Sequence, residues 1–395
     1  MSSGRLQALV APSLIRWTRS TAGLDVAAAA KKLKVTASTV EAWESGEKRP
    51  SLAQLRKMAV LYKRPLAVFY LPEPPQAFTP LRDFRTVDGR ERTLETPRLA
   101  LETRRAHQRR EAALDLAQVI GEEPIPFELS ASETDDPLVL ARSLRALLGV
   151  SLDEQFDWAD QYVALNAWKG AAERAGVLVF QTENLPISEA RGFSVALFPL
   201  PVVVLNSKES PKGRIFTLVH ELAHIALRAG GVCDLHEDNR SKREPDRVEV
   251  FCNRVAGETL VPGESLEATL IALELADEKE WLETSLRKLA DRYSISTDAA
   301  LRSLVQVGRY PAELYGNRHA AFTKAWDASK LKLGPVPYFR RALGWSGRRF
   351  ARMAITAYDD QRISSADLTE FLRVKIKQVE QIRSALRKDD FAETS

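Results

Sequence analysis

His220-Glu221-Leu222-Ala223-His224 is the part of the sequence whose residue types and spacing most directly indicate chemistry. Two histidines four positions apart lie on one face of a helix, one turn from each other. That separation allows both imidazoles to hold one Zn²⁺ at about 2.0–2.1 Å. Glu221 stands where a carboxylate can deprotonate a water molecule at the metal. The same pattern also arises by chance on surface helices, so the neighbouring sequence has to separate the two interpretations.

A catalytic zinc site needs a third protein ligand, and the type of that ligand separates the classes of metal enzyme. In metzincins a histidine follows six residues after the second histidine, but Gly230 occupies that position. The other common solution is a carboxylate on a following helix. Glu249 is the best candidate, because it lies on a helix predicted over residues 247–260, after a loop long enough to reverse the chain. Spacing alone leaves five competitors open: Asp234, His236, Glu244, Asp246 and Glu258.

Two segments resemble the ImmA/IrrE family of intracellular metallopeptidases. Residues 214–224 (RIFTLVHELAH) resemble that family's zinc helix, and residues 249–256 (EVFCNRVA) are similar to its second motif, E-x-x-A-N-x-F-A. Cys252 and Val255 depart from the usual alanine and phenylalanine, and both replacements are apolar and of small to medium size. The resemblance implies a gluzincin-like site with His220, His224 and Glu249 as zinc ligands and Glu221 as the catalytic base.

The sequence says less about the residues around the metal ligands. Asn253 lies one helical turn after Glu249, where its amide either supports the zinc helix or a ligand by hydrogen bonding, or packs between helices. The oxyanion that forms during peptide hydrolysis needs a second donor. His236 or a Tyr or Arg side chain could provide it, and nothing in the sequence selects one. A set of two histidines and one glutamate suits Zn²⁺, which is the expected cofactor.

The first 75 residues are more basic than the rest of the chain. They contain 12 Lys and Arg against 5 Asp and Glu, a net charge of +7, whereas the remaining 320 residues carry −3. A basic module fused to a slightly acidic body indicates nucleic acid as a partner. Capping residues and glycine stops predict a first helix that ends at residues 18–22, and further helices over 26–33, 37–45 and 52–62.

Residues 38–50 (STVEAWESGEKRP) resemble the recognition helix and following loop of Xre/Cro-type helix-turn-helix domains. The resemblance implies that this helix enters the major groove of DNA. The second helix lacks the glutamine with which that family often contacts DNA, so dimerisation or binding of a protein partner stays open as an alternative role. The expected DNA contacts are Ser38, Thr39 and Ala42 in the groove, with Lys48 and Arg49 at phosphates.

The elements around these motifs predict a mostly α fold with a small β-sheet (α+β). Short β-branched runs at 177–181 and 202–205 indicate strands ahead of a zinc helix over 212–228. A long charged helix over 95–119 carries Arg104, Arg105, Arg109 and Arg110; because acidic residues are interleaved, we expect a solvated face there and not a phosphate-facing stripe. The predicted division is a helix-turn-helix domain (1–75), a helical linker region (76–165), a zincin-like metallopeptidase domain (166–265) and a C-terminal helical domain (266–395).

Two C-terminal segments, at 296–301 and 364–371, look like the starts of small helix–turn–helix pairs. Such pairs more often serve packing than DNA recognition. We therefore assign no function to them from the sequence.

Cysteine content and the pattern of apolar residues indicate the cellular compartment. Cys233 and Cys252 cannot form a disulfide framework, and the sequence has neither a signal peptide nor 18 consecutive uncharged apolar residues. We therefore expect a cytoplasmic protein without a membrane partner.

These motifs together predict a DNA-tethered zinc endopeptidase, either a monomer or a homodimer. The resemblance implies a protein substrate, an Xre-type repressor, cleaved in response to stress, DNA damage or a mobile element. The alternative is a DNA-binding regulator or antitoxin-like protein without proteolytic activity, in which the zinc domain is structural or sensory.

Overall fold

The computed structural model describes residues 7–64, 66–71, 73, 82–83, 96–228, 231–233, 247–278, 281–311, 313, 315 and 336–393. The chain divides into two compact units. The first comprises Met1–Pro80 with Leu94–Arg104, and the second comprises Leu81–Thr93 with Arg105–Ser395. Among the helices that the structure describes, none offers an apolar stretch long enough to cross a lipid bilayer.

The first unit contains four short helices around an apolar core. They are α1 (Pro12–Thr21), α2 (Val26–Leu33), α3 (Ala37–Ser45) and α4 (Leu52–Tyr62), followed by a 3₁₀ turn at Leu66–Tyr70. The Asp25 carboxylate caps α2 by accepting a hydrogen bond from the Ala28 amide at 2.6 Å, and Thr36 caps α3. The predicted bounds of α2, α3 and α4 are confirmed, because local capping residues determine where these helices begin.

A small sheet in the second unit lies beside the helix that carries the two histidines. Its strands are β1 (Arg82–Asp83), β2 (Leu178–Gln181), β3 (Gly192–Val195), β4 (Val202–Leu205) and β5 (Gly231–Cys233), in the order β1-β5-β3-β4-β2. Strand β3 is antiparallel to β4 and to β5, whereas β2 is parallel to β4 and β1 to β5. The prediction of a mostly α fold with a small sheet is confirmed.

The structure describes nine further helices up to residue 306. They are α5 (Pro97–Ile120), α6 (Pro137–Leu148), α7 (Leu152–Asp157), α8 (Gln161–Arg174), α9 (Pro211–Ala226), α10 (Arg247–Leu260), α11 (Gly263–Ala272), α12 (Glu283–Arg292) and α13 (Thr297–Gln306). The helix with both histidines, α9, contacts α8, α10, β3 and β4. Ser210 caps its first turn, and its residues from Arg214 to Ala226 are all buried. This enclosure positions the histidine side chains inside the unit.

Arg110 on α5 corrects the prediction of a solvated helix face. Its side chain is buried, and its Nε lies 3.1 Å from the Leu200 carbonyl oxygen and 3.3 Å from that of Leu197. Its Nη2 donates to the Pro199 carbonyl at 2.7 Å. A guanidinium offers five donors in a fixed plane, so one arginine can satisfy several carbonyl groups of an irregular loop. Arg110 therefore orders the segment between β3 and β4.

The structure describes four further helices after residue 336, and the first two of them contact β2. They are α14 (Tyr338–Ser346), α15 (Arg348–Asp359), α16 (Ser365–Leu372) and α17 (Val379–Glu393), with a 3₁₀ turn at Ile376–Gln378 before α17. Gly347 joins the first two with φ of 74°, and a Cβ there would lie 2.6 Å from the Val179 carbonyl oxygen. Only glycine combines this backbone conformation with such a close approach to the strand.

Glu173 at the end of α8 attaches the C-terminal helix α15 to α8. Its carboxylate oxygens accept the backbone N–H groups of Arg348 at 3.1 Å and Arg349 at 3.2 Å. The side chain is fully enclosed, and this burial raises the pKa of Glu173, an effect that Lys169 and the two amides only partly oppose. A buried carboxylate thus holds the first turn of α15.

We expect Glu173→Gln to lower the free energy of unfolding by about 1–3 kcal/mol, because one of the two amides then faces an NH₂ group. A raised pKa in the folded state means that Glu173 stabilises the protein most below its unfolded pKa, and that this contribution is lost as the pH rises through the folded pKa. The difference in stability between wild type and Glu173→Gln should therefore narrow as pH rises. Urea unfolding at pH 5 and pH 8 measures this difference in the free energy of unfolding. Glu370→Gln, on the exposed surface of α16, is the control. An equal loss of stability in the control contradicts the role assigned to Glu173.

Candidate metal centre

Three side chains from two neighbouring helices meet in the interior of the second unit. His220 and His224 extend from α9, and Glu249 extends from the first turn of α10. The two histidine Nε2 atoms lie 3.0 Å apart. Glu249 Oε2 lies 3.4 Å from Nε2 of His220, and Glu249 Oε1 lies 3.2 Å from Nε2 of His224. All three side chains are at most 2% exposed.

This triangle has the dimensions of a tetrahedral metal site. Metal–ligand distances of about 2.0–2.1 Å at tetrahedral angles place neighbouring ligand atoms about 3.3 Å apart. The observed separations of 3.0, 3.2 and 3.4 Å bracket that value. In the part of the chain that the structure describes, these residues form the cluster of three His, Cys, Asp or Glu side chains close enough to hold one ion. The residues therefore fit a divalent cation such as Zn²⁺.

The electrostatics of the cluster also suit metal binding. Burial lowers the pKa of His220, which keeps its imidazole neutral and its lone pair available. Burial alone would raise the pKa of Glu249, but hydrogen bonding to His220 and His224 lowers it well below its usual range. Burial also acts to lower the pKa of His224, but Cys252, Glu249 and Glu221 raise it well above its usual value, so metal binding at His224 would release a proton.

Glu221 lies beside the cluster in an enclosed position. Its side chain is completely buried, and neither carboxylate oxygen has a hydrogen-bond partner among the described residues. Burial raises the pKa of Glu221 to about 7. Gly192 on β3 permits this arrangement, because a Cβ at Gly192 would lie 2.5 Å from Thr217 Cγ2 and 3.6 Å from Glu221 Oε1. The close approach of β3 to α9 was not predicted from the sequence; the isolated Gly192 is its only local signal.

The competitors for the third ligand position are not part of this cluster. Glu258 lies at the other end of α10, where its carboxylate accepts the Gly263 amide at 3.0 Å. Asn253 is buried one turn after Glu249, and its function as a support for the site stays a prediction. Gly230 and the remaining competitors lie outside the described residues: Asp234, His236, Glu244 and Asp246.

A small recess that opens to solvent lies next to the first turns of α9. Phe216, which stacks on His220 with ring centroids 6.4 Å apart, contributes to its lining. Arg302 on α13 also lines it, and its guanidinium carbon lies 5.8 Å from the Phe216 ring centroid. Arg302 is close enough to His220 to contribute to the lowered pKa of that histidine. The recess thus places a buried arginine near the proposed metal ligands.

The N-terminal unit exposes most of the residues predicted to contact DNA. Ser38, Lys48 and Arg49 are exposed, and Thr39 is partly exposed. Ala42 is the exception, because it is only 5% exposed and packs inside the unit. The interior position follows from α3 itself, since Val40, Ala42 and Trp43 all point inward. The exposed side chains are accessible to DNA, and contact between this unit and DNA stays a prediction.

Two segments of the chain match known protein families. Residues 172–305 match the peptidase family described as the IrrE N-terminal-like domain, and residues 13–68 match a helix-turn-helix domain. The radiation response metalloprotease IrrE of Deinococcus deserti is 29% identical over 107 residues, which cover 27% of this chain and 36% of that relative. The alignment thus spans little more than a third of the relative's length. For these segments, the resemblances based on the sequence motifs are confirmed.

Proposed function

We propose that the chain is a zinc-dependent endopeptidase. The observation that carries this proposal is the buried triangle of His220, His224 and Glu249 with the carboxylate of Glu221 beside it. The match of residues 172–305 to a peptidase family supports the same conclusion. A purely structural metal site would be closed by a fourth protein ligand. Among the described residues, only three potential ligands converge here.

The three side chains would hold the ion, and two imidazoles with one carboxylate favour Zn²⁺ among the available divalent metals. When bound, the ion supplies Lewis acidity that activates water and polarises the peptide carbonyl group. The protein's own contribution is to keep His220 and His224 on one helical face and to exclude bulk water around them. The buried α9 achieves both.

Glu221 acts as general base and general acid in this proposal. It accepts a proton from the attacking water and returns it to the amine that leaves. A carboxylate works in both directions when its pKa lies near the working pH, and the enclosed position of Glu221 meets that condition. No other described side chain next to the triangle has two carboxylate oxygens without hydrogen-bond partners.

The helix-turn-helix unit indicates where this chemistry acts. Residues 13–68 match a helix-turn-helix domain, and Lys48 and Arg49 are exposed at the end of its recognition segment. We infer that the unit binds DNA in the cytoplasm and brings the peptidase to a DNA-bound protein. An Xre-type repressor is the substrate that fits this arrangement. The similar protein of Deinococcus deserti is a radiation response metalloprotease, which supports a signal connected with stress or DNA damage.

The tethering is tested by cleavage of an Xre-type repressor bound to its operator DNA. We expect Lys48→Gln with Arg49→Gln to slow cleavage of the operator-bound repressor about tenfold or more, because the protease loses its high local concentration. Cleavage of the same repressor free in solution should not change. Gel electrophoresis of the repressor over time measures both rates.

Two outcomes would contradict parts of this proposal. An equal rate for wild type and variant on operator-bound repressor would remove the DNA tether but leave the peptidase. Specific operator binding without cleavage of any protein would instead favour the DNA-binding regulator with a structural or sensory zinc domain. In that case binding should be the same for wild type and Glu221→Gln.

A further inference from the structure

The C-terminal helices α16 and α17 repeat the turn of the N-terminal helix-turn-helix unit. Both α2 and α16 contain eight residues. The residue after each helix is left-handed: Lys34 has φ 59° and ψ 47°, and Arg373 has φ 55° and ψ 39°. Two positions later the chain is extended in both, at Thr36 (φ −81°, ψ 155°) and Lys375 (φ −76°, ψ 148°).

The backbone hydrogen bonds of the two turns correspond as well. In the N-terminal unit, the Lys34 amide donates to the Lys31 carbonyl and the Val35 amide to that of Ala30. In the C-terminal pair, the Arg373 amide donates to the Glu370 carbonyl and the Val374 amide to that of Thr369. The spacings are therefore identical. Val379 and Ile382 are buried at the positions that Val40 and Trp43 occupy in α3.

A third turn of this type, between α12 and α13, shows what a packing unit looks like. There the Ser294 amide donates to the Asp291 carbonyl and the Ile295 amide to that of Ala290. However, the helix after the turn is buried, and Arg302 and Ser303 are only 9% and 3% exposed. No DNA groove can reach such a helix. The turn alone therefore does not identify a DNA-binding helix pair. The second helix must also be exposed.

The helix after the C-terminal turn is exposed on one face. Ile376 is 50% exposed at the start of that face, and Lys375, Lys377, Gln381 and Ser384 are exposed too. Gln381 and Ser384 lie three residues apart on the exposed face of α17, where Glu380 is exposed too, and Lys377 precedes the helix in the 3₁₀ turn. Glutamine pairs with adenine in the major groove, and serine can contact any base edge. The exposed face has the chemistry of a recognition helix.

The charge of this region complements nucleic acid. Residues 365–388, which form α16, the turn and the first ten residues of α17, contain 6 Lys and Arg against 3 Asp and Glu, a net charge of +3. The acidic residues Asp389, Asp390 and Glu393 lie in the last turns of α17. At 1.5 Å per residue, these turns are about 15 Å or more from its first turn. Three of the basic residues, Arg373, Lys375 and Lys377, lie at the turn, between Glu370 and Glu380.

Aromatic contacts hold the turn in place. The Tyr338 hydroxyl donates to the Arg373 carbonyl at 2.8 Å. The guanidinium of Arg373 lies 5.8 Å from the centroid of the Trp345 ring. Because α17 also packs on α14 and α15, the exposed face has a fixed orientation. A recognition helix needs such a rigid support, since its side chains must meet base edges in register.

We propose that α16, the turn and α17 form a second helix-turn-helix that binds duplex DNA. Its matched turn, exposed recognition face and positive charge are the observations that carry the inference. Lys375 and Lys377 contact phosphates in this arrangement, and Gln381 and Ser384 face the bases. The site lies outside both segments that match known families. It does not depend on peptidase activity or on DNA binding by the N-terminal unit.

Four full-length proteins test the proposal: wild type, Lys48→Gln with Arg49→Gln, Lys375→Gln with Lys377→Gln, and the combination of all four changes. Fluorescence anisotropy measures binding to a labelled 40-base-pair mixed-sequence duplex over a range of salt concentrations. Each phosphate contact contributes about 0.9 to the slope of log K against log salt. We expect the C-terminal double variant to reduce this slope by about 1.8 and to weaken binding about tenfold near 0.1 M salt. Lys208→Gln with Lys288→Gln removes the same charge elsewhere in the second unit and serves as control.

The results separate the two DNA-binding proposals. The second helix-turn-helix is supported if the C-terminal changes lower DNA affinity and salt slope more than the control changes do. This loss should occur both in the wild type and in the Lys48→Gln, Arg49→Gln variant, whether or not the N-terminal changes themselves lower affinity. Unchanged affinity and slope with the C-terminal changes overturn it, even if the N-terminal tether stands. A loss equal to that of Lys208→Gln with Lys288→Gln also overturns it, because general charge then explains the effect. Thermal melting of each variant verifies that the fold is retained.

Discussion

Replacing Glu221 with glutamine is expected to lower the rate of protein cleavage by about 10²–10⁴-fold, the range that one positioned acid–base group supplies. Glutamine has nearly the same shape as glutamate but cannot accept a proton. The buried position of residue 221 on α9 therefore stays filled, and the three proposed ligands keep their arrangement. Fold, metal content and DNA binding should all match the wild type. A selective loss of activity is what separates a catalytic carboxylate from a structural one.

The measurement does not require a known substrate. A proteome from the host organism is incubated with metal-loaded wild type or Glu221→Gln, and newly formed protein N-termini are quantified by mass spectrometry. Sites cut by the wild type alone identify the substrate and its sequence preference. Glu370→Gln, a change of the same kind on exposed α16, should cut like the wild type. If Glu221→Gln releases the same N-termini at the same rate, Glu221 is not the proton carrier and the proposed mechanism is wrong.

Local sequence signals were sufficient for most helices near the two sites. The bounds of α2, α3, α4 and α10 were predicted to the residue, because caps, glycine stops and a proline mark their ends. Strands β2 and β4 were predicted because they are continuous β-branched runs. The meeting of His220, His224 and Glu249 was also anticipated, since the helical period and the second motif together specify it.

Other features depend on contacts between distant parts of the chain. Strand β3, with the sequence Gly-Phe-Ser-Val, has too few β-branched residues to be distinguished locally, and it forms because β4 and β5 pair with it. Arg110 looks like one of several helix-surface arginines until the loop that it satisfies, about 90 residues later, is positioned beside it. The burial of Ala42 and the repeated turn at Arg373 likewise follow from packing and backbone geometry. Periodicity alone does not show either feature.

Metal binding provides the second large prediction. We expect Glu249→Gln to weaken Zn²⁺ binding more than about 100-fold, since even residues behind the ligands change metal affinity by 10–100-fold. Glutamine keeps the shape of the side chain but removes the negative charge that offsets the dication. Glu258→Gln is the matched control on the same helix, because its carboxylate binds the Gly263 amide and does not face the histidines. Elemental analysis after dialysis should find about one zinc per chain in the wild type and in this control.

Thermal unfolding with and without Zn²⁺ measures the same property independently of activity. At free metal 1,000 times above Kd, binding stabilises the folded state by about 4.1 kcal/mol, which corresponds to a rise in Tm of about 8–16 °C. A 100-fold loss of affinity reduces the stabilisation to about 1.4 kcal/mol at the same metal concentration. Because each variant is compared with its own metal-free form, a change in intrinsic stability cancels. If Glu258→Gln loses the shift while Glu249→Gln keeps it, the third ligand is Glu258, and the triangle in the structure does not bind the metal.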